Sequence, residues 1–146
     1  MRIAKLALVA AAVGLVGCSD DGTGPGGDGN GIVGLWSAIE WTIADPTGAF
    51  SIDLVAQGAA VTVDIRADDT FTVTTVIFGQ TESSSGTVEV NGTTVTMTDP
   101  VDGPMVFNMT MSGTDRMTLT ASGELWDLDQ DGQDDLVDMT LVLLRS

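Results

Sequence analysis

The chain has 146 residues, enough for one domain, and sets 21 acidic residues against 5 basic ones with no histidine, no tyrosine and one cysteine. A formal charge of −16 excludes the basic patches that nucleic-acid binding requires, and a single cysteine excludes an internal disulfide. Without histidine, the Ser-His and Cys-His nucleophile systems and histidine-bound zinc are excluded as well.

The N-terminus sets Arg2 and Lys5 before the apolar run LALVAAAVGLV. That run has the length of a secretory signal and falls short of the about 20 residues that a membrane span needs. It ends in LVGC, Leu15 to Cys18, which resembles the bacterial lipoprotein signal, a Leu-x-Gly/Ala-Cys box cut before a cysteine that then carries acyl chains. The resemblance implies a signal peptide over residues 1–17, a covalent lipid on Cys18 and export to the bacterial cell envelope. Ser19 after the cysteine implies the outer membrane if the organism has two. Cleavage removes Arg2 and the only lysine, leaving Arg66, Arg116 and Arg145 against all 21 acids. Such a surface repels anionic headgroups, so membrane attachment is expected through the lipid alone.

Residues 18–31 hold the cysteine and then SDDGTGPGGDGNG, glycine and aspartate with almost nothing apolar. That composition reads as a flexible tether with a span of roughly 20 Å as a coil. From Ile32 the period becomes two. VTVDIR alternates Val61, Val63 and Ile65 with polar residues; FTVTT, TVTMT, FNMTMS, MTLTAS and VDMTLVLLR repeat the pattern. Threonine and valine in alternation mark half-buried strands. Turn signals lie between the runs, at DPTG, ADD, DPVDGP and SGTD, and VNGTTV reads as a tight hairpin. The count is eight or nine strands with no helix after the signal. This predicts an all-β fold over residues 32–146, an antiparallel up-and-down barrel or, alternatively, a β-sandwich.

Gly34-Leu35-Trp36 opens the first strand, and Arg145 ends the last run in phase with Val137, Met139, Leu141 and Leu143. This pairing resembles the lipocalins, in particular short bacterial lipocalin-like domains. In that family a Gly-x-Trp tryptophan plugs one end of the barrel and an arginine of the last strand packs over it. The resemblance implies a barrel closed by Gly34, Trp36 and Arg145, with a cation–π contact between the last two. It also implies carriage of a small hydrophobic ligand. The family's Thr-Asp-x-Tyr turn is absent, since the chain has no tyrosine.

Carboxylate chemistry remains available in principle. Glu40, Asp53, Asp64, Glu89 and Glu124 lie in strand runs, where they read as solvated faces rather than a catalytic pair, and no enzyme is expected. The methionines Met97, Met105, Met109, Met111, Met117 and Met139 read as core filling before copper ligation, or as the lining of an adaptable apolar cavity.

The stretch DLDQDGQDDLVD supplies a different chemistry. With Asp127 at position 1 of a 12-residue loop, Asp129 and Asp131 take positions 3 and 5, and Gly132 takes the sharp turn. Gln133 then offers its carbonyl at position 7, and Asp135 and Asp138 follow at 9 and 12. This is the order of an EF-hand loop, with Asp in place of the final Glu. The flanks read as strands, so the stretch resembles the Asp-rich calcium loops of extracellular repeats carried here on a hairpin. A structural calcium ion is the expected cofactor, with modest affinity. Two functions fit the whole: carriage of a small apolar ligand, or a structural or adhesive envelope protein with a filled barrel.

Overall fold

Alternation of valine, isoleucine and methionine with threonine gives each segment one apolar face, which without helices is hidden by curling the sheet onto itself or by packing one sheet on another. The computed structural model describes residues 31–126 and 134–146. Nine strands are formed: β1 (Gly34–Ala44), β2 (Ser51–Asp53), β3 (Ala60–Ile65), β4 (Thr70–Ile77), β5 (Gln80–Asn91), β6 (Thr94–Asp99), β7 (Gly103–Ser112), β8 (Arg116–Trp126) and β9 (Asp135–Arg145). All pair antiparallel in the order β2-β1-β3-β4-β5-β6-β7-β8-β9, and β1 also pairs β9 from Trp36↔Arg145 to Ala44↔Asp138. That last ladder closes an eight-stranded up-and-down barrel and rules out the sandwich. β2 is an extra strand, bonded to the second half of β1 through Thr42↔Asp53, Ile43↔Ile52 and Ala44↔Ser51.

The inward phase carries Val61, Val63, Ile65, Phe71, Val88, Val95, Met97, Phe107, Met109, Leu119, Leu141 and Leu143 in one continuous buried cluster. The outward phase is rich in hydroxyls, in that Thr74 faces Thr62 and Ser83, and Thr120 faces Thr140 and Asn108, with Leu35, Val106, Leu125, Leu136 and Leu144 exposed among them. Membrane-spanning barrels have the reverse polarity, apolar outward.

Two bulges change the phase. Ile39 is the extra residue between Ala38↔Leu143 and Glu40↔Val142, so Trp36 and Trp41, five residues apart, both point inward. Gly123, at φ 75°, is the extra residue between Ser122↔Asp138 and Glu124↔Val137. The hairpin between β5 and β6 turns on Gly92 and Thr93. Of these only Gly92 has positive φ, as in a type II′ turn, and Asn91 belongs to the strand.

Candidate functional site

The two ends of the barrel differ, and the difference grows from local sequence. At one end the ladders run up to the turns, from Gly34↔Ile65 round through Thr70↔Thr87, Asn91↔Thr94 and Met111↔Met117 to Arg116↔Leu144, with only the β5–β6 and β7–β8 hairpins standing past their neighbours β4 and β6. Trp36 is fully buried there, and its indole N–H donates to the Ile32 carbonyl at 2.7 Å. The Arg145 guanidinium lies 4.3 Å from the centre of the Trp36 ring. Its Nε donates to the Thr114 carbonyl at 3.0 Å, its Nη1 to Val33 at 2.7 Å, and its Nη2 to Gly31. Gly34 is glycine for two reasons: its φ of 144°, and the guanidinium, which occupies the space that a Cβ would take. Gly34, Trp36 and Arg145 thus form one plug.

At the opposite end the ladders separate. β7 is bonded to β8 only from Asn108↔Thr120 to Ser112↔Arg116, so Gly103–Phe107 pair with β6 alone and Ala121–Trp126 with β9 alone. The β4–β5 hairpin likewise runs past β6, whose ladder with β5 stops at Thr87↔Thr98. The β1–β3 ladder stops at Ser37↔Thr62, and β2 takes up the same edge of β1 further along, from Thr42 to Ala44. There Asp53 accepts the amides of Trp41 at 3.1 Å and Val55 at 3.0 Å through one carboxylate oxygen.

Most of the half-buried apolar side chains that pack on the core lie toward this end, Ile52, Leu54, Val55, Ile77, Trp126 and Met139, against Val90 and Met111 toward the plugged one. Trp41 sits below them, its indole N–H on the Met139 sulfur at 3.3 Å and its ring 5.6 Å from that of Trp126, tilted by 50°. Beyond them, Phe78 and Val101 occupy loop tips at 86% and 83% exposure, with Phe50 half as exposed. Phe78 and Gly79 both have positive φ, 51° and 77°, in a two-residue turn that favours Asn or Gly at the first place.

The strand carboxylates separate by phase. Asp64 and Glu89 face outward, opposite Thr72 and Thr96. Glu40 also faces outward, across from Val142. Glu124 faces inward, across from the buried Val137, because Gly123 has shifted the register. Alternation alone hides that residue; the signal for it was a glycine inside a strand run. Glu82 is also in the inward phase, opposite Thr75, on the projecting part of β5. Asp99 accepts the Ser84 hydroxyl at 2.5 Å and the amides of Val101 at 2.6 Å and Asp102 at 3.1 Å. The hydroxyl first and then the amides hold its pKa below the ordinary carboxylate value. Thr47 does the same for Asp45, and Thr70 for Asp68. Of the methionines, Met97, Met109 and Met117 are buried in the core and Met111 and Met139 pack against it. Met105 stays 36% exposed at the diverging edge of β7.

Cys18, Asp127, Asp129, Asp131 and Gln133 lie outside the described residues. Of the acidic stretch, Asp135 opens β9 opposite Trp126, in the phase of Val137, whereas Asp138 lies opposite Ala44 and Ser122. Three residues apart on an extended strand, they point to opposite faces and their Cα atoms stand about 10 Å apart. The structure does not bring these two together as positions 9 and 12 of one loop would require. Among the described residues no group of three or more acidic or cysteine side chains is placed to hold a metal ion.

No family model matches the sequence, and no curated protein matches it. Among solved structures it is similar to an uncharacterized protein from Bacteroides eggerthii DSM 20697, a crystal structure at 2.60 Å resolution, at 13% identity and a TM-score of 0.48. The match covers 78% of this chain and 98% of that one. The barrel itself is established by the ladders of this chain.

Proposed function

We propose that this protein is a non-catalytic, lipid-anchored envelope barrel that holds a small hydrophobic ligand at the Trp126 end. One observation carries the reading. The Trp36 end is plugged and hydrogen-bonded, while at the other end the strands diverge and half-buried apolar side chains collect above Trp41. Ligand sites of small barrels lie at their mouths, where an apolar lining meets a few polar groups. The lipocalin resemblance of Gly34, Trp36 and Arg145 supports the same reading.

The anchor rests on the LVGC box, which would place the lipid on Cys18 and leave the barrel on its tether outside the bilayer. Attachment then needs the acyl chains, because an acidic surface gains nothing from anionic headgroups. The absence of histidine from the sequence, and of lysine and tyrosine from its barrel portion, supports a binding role over catalysis. A structural calcium ion belongs to the proposal in a narrowed form. Asp127, Asp129, Asp131, the Gln133 carbonyl and Asp135 would supply its oxygens, and Asp138, on the other face of β9, is left out.

The test is titration with a neutral apolar dye such as N-phenyl-1-naphthylamine, followed by dye emission and by quenching of tryptophan. Saturable binding near one dye per chain, weakened by Trp126→Ala, is expected. A dye-silent protein would instead support a filled barrel acting through its outer surface, a reading favoured by the continuity of the buried cluster from Trp36 to Trp41.

A further inference from the structure

The apolar rim of the Trp126 end is costly to maintain. Phe78 holds a backbone conformation with φ of 51°, which L side chains avoid, and leaves its ring 86% exposed. Asparagine, aspartate or glycine would serve that turn better and hide nothing less. Strain and exposure together gain the fold no packing, so they point to something that the ring meets. Val101 at the β6–β7 tip and Phe50 before β2 stand at the same end, and Ile77 and Ile52 join these tips to the half-buried side chains within.

The charge of what settles there follows from where the basic residues are. All three arginines among the described residues lie at or beside the plugged end: Arg66 follows β3, Arg116 opens β8, and Arg145 closes β9. At the other end stand Asp45, Asp53, Asp99 and Asp102, with Glu82 and Glu124 in the inward phase, and no base accompanies them. An anionic headgroup entering this end would meet carboxylates on every arm of the sheet and no cation to balance it. A positive headgroup would be attracted from a distance and held at the rim, where water screens it less than in bulk. The exposed Phe78 ring and the half-buried Trp126 ring add to that attraction.

We infer that the ligand of the Trp126 end is an amphiphilic cation, with an apolar body seated among Ile52, Leu54, Ile77, Trp126 and Met139 and a positive head beside Glu82 and Glu124. The inference rests on the proposed ligand-binding function and adds the charge of the ligand to it. It runs against the usual expectation of a fatty acid for an apolar barrel.

The experiment compares decyltrimethylammonium, decanol and decyl sulfate, each below its micellar concentration, by tryptophan fluorescence on the purified full chain. The cation should bind saturably near one per chain and at least tenfold tighter than decanol, with decyl sulfate weaker still. Raising salt from 20 to 500 mM should remove most of that preference, as screening requires. Glu82→Gln with Glu124→Gln should reduce cation affinity at least fivefold and leave decanol unchanged. Phe78→Asn should weaken both about fivefold without lowering the melting temperature. Equal affinity for decanol and the cation, or preference for decyl sulfate, would overturn the inference and leave the binding function standing. Non-saturating uptake of the cation, indifferent to Phe78→Asn, would overturn it as mere adsorption. Failure of all three amphiphiles to bind would defeat the binding function and this inference together.

Discussion

Arg145 shows how one side chain serves several needs at once. Its three donors satisfy carbonyls of the N-terminal entry and of the β7–β8 turn, and its flat face covers the Trp36 ring. A lysine offers one compact charge and no plane, so the exchange is not conservative here. Arg145→Ala is expected to cost about 2–3 kcal/mol, from lost hydrogen bonds and the cation–π contact, and Arg145→Lys to recover less than half of that, measured by urea unfolding. Asp99 makes a pH prediction. Its pKa is lowered in the folded state by the Ser84 hydroxyl and then by the Val101 and Asp102 amides. A depressed carboxylate contributes stability that is fully present above its unfolded value of about 3.9 and is lost as pH falls through the lowered one. The bonds are partly solvated, so the contribution is at most about 1 kcal/mol. Asp99→Asn should therefore separate from the parent in stability above about pH 5 and converge with it near pH 2, in denaturant midpoints taken across that range.

Among elements, β5 is the strand whose course depends most on one residue. It must pair with β4 along its first part and with β6 along its second, and Gly86 sits at the change of partner. A Cβ there would run into the backbone carbonyl of Thr98 and come within 3.0 Å of the Phe71 ring. Backbone cannot yield as a side chain can, so Gly86→Ala is expected to destabilise by about 2–3 kcal/mol, read as a lowered melting temperature with the barrel spectrum retained. Strand existence was legible because threonine–valine alternation is long and regular, and the phase of β9 from Val137 to Arg145 could be read directly from the sequence. Bulges were not. Ile39 and Gly123 each add one residue against β9, and each reverses the faces beyond it. This is why Trp41 proves to be inside and Glu124 inward; Asp138 parts from Asp135 because they stand three apart on the unbroken strand β9. Pattern matching to a calcium loop counts residues along the chain, whereas a strand alternates them across two faces. Asp53 was read in a strand run, but the three residues of β2 carry too short an alternation to show which edge they join.

For the molecule as a whole, the fold follows from closure: β1 with β9 joins eight strands into a ring and confines unpaired edge to β2 and the staggered strand ends, where an open sheet of this hydroxyl-rich kind would leave two full edges as pairing sites. The plug was foreseeable from the resemblance of Gly34, Trp36 and Arg145 to the lipocalin pattern, and the closing ladder sets Trp36 opposite Arg145. The other end was not, because its character comes from where ladders stop, which depends on stagger and not on residue type. If calcium joins the acidic stretch, it binds the folded state and raises the melting temperature by mass action. At about ten times a dissociation constant of ~10⁻⁴ M, the gain is about 1.4 kcal/mol, a rise of a few degrees. Asp129→Ala should lose most of that rise and Asp138→Ala little of it, by calorimetry with and without the ion.

The most direct test of the account is a heteronuclear NMR map of the isotope-labelled protein titrated with N-phenyl-1-naphthylamine. The account predicts saturable shifts at the indole signals of Trp41 and Trp126 and at the amides of Leu54, Val55, Ile77 and Met139, with the Trp36 indole unmoved. Shifts centred on Trp36 and Arg145, or none that saturate, would contradict it.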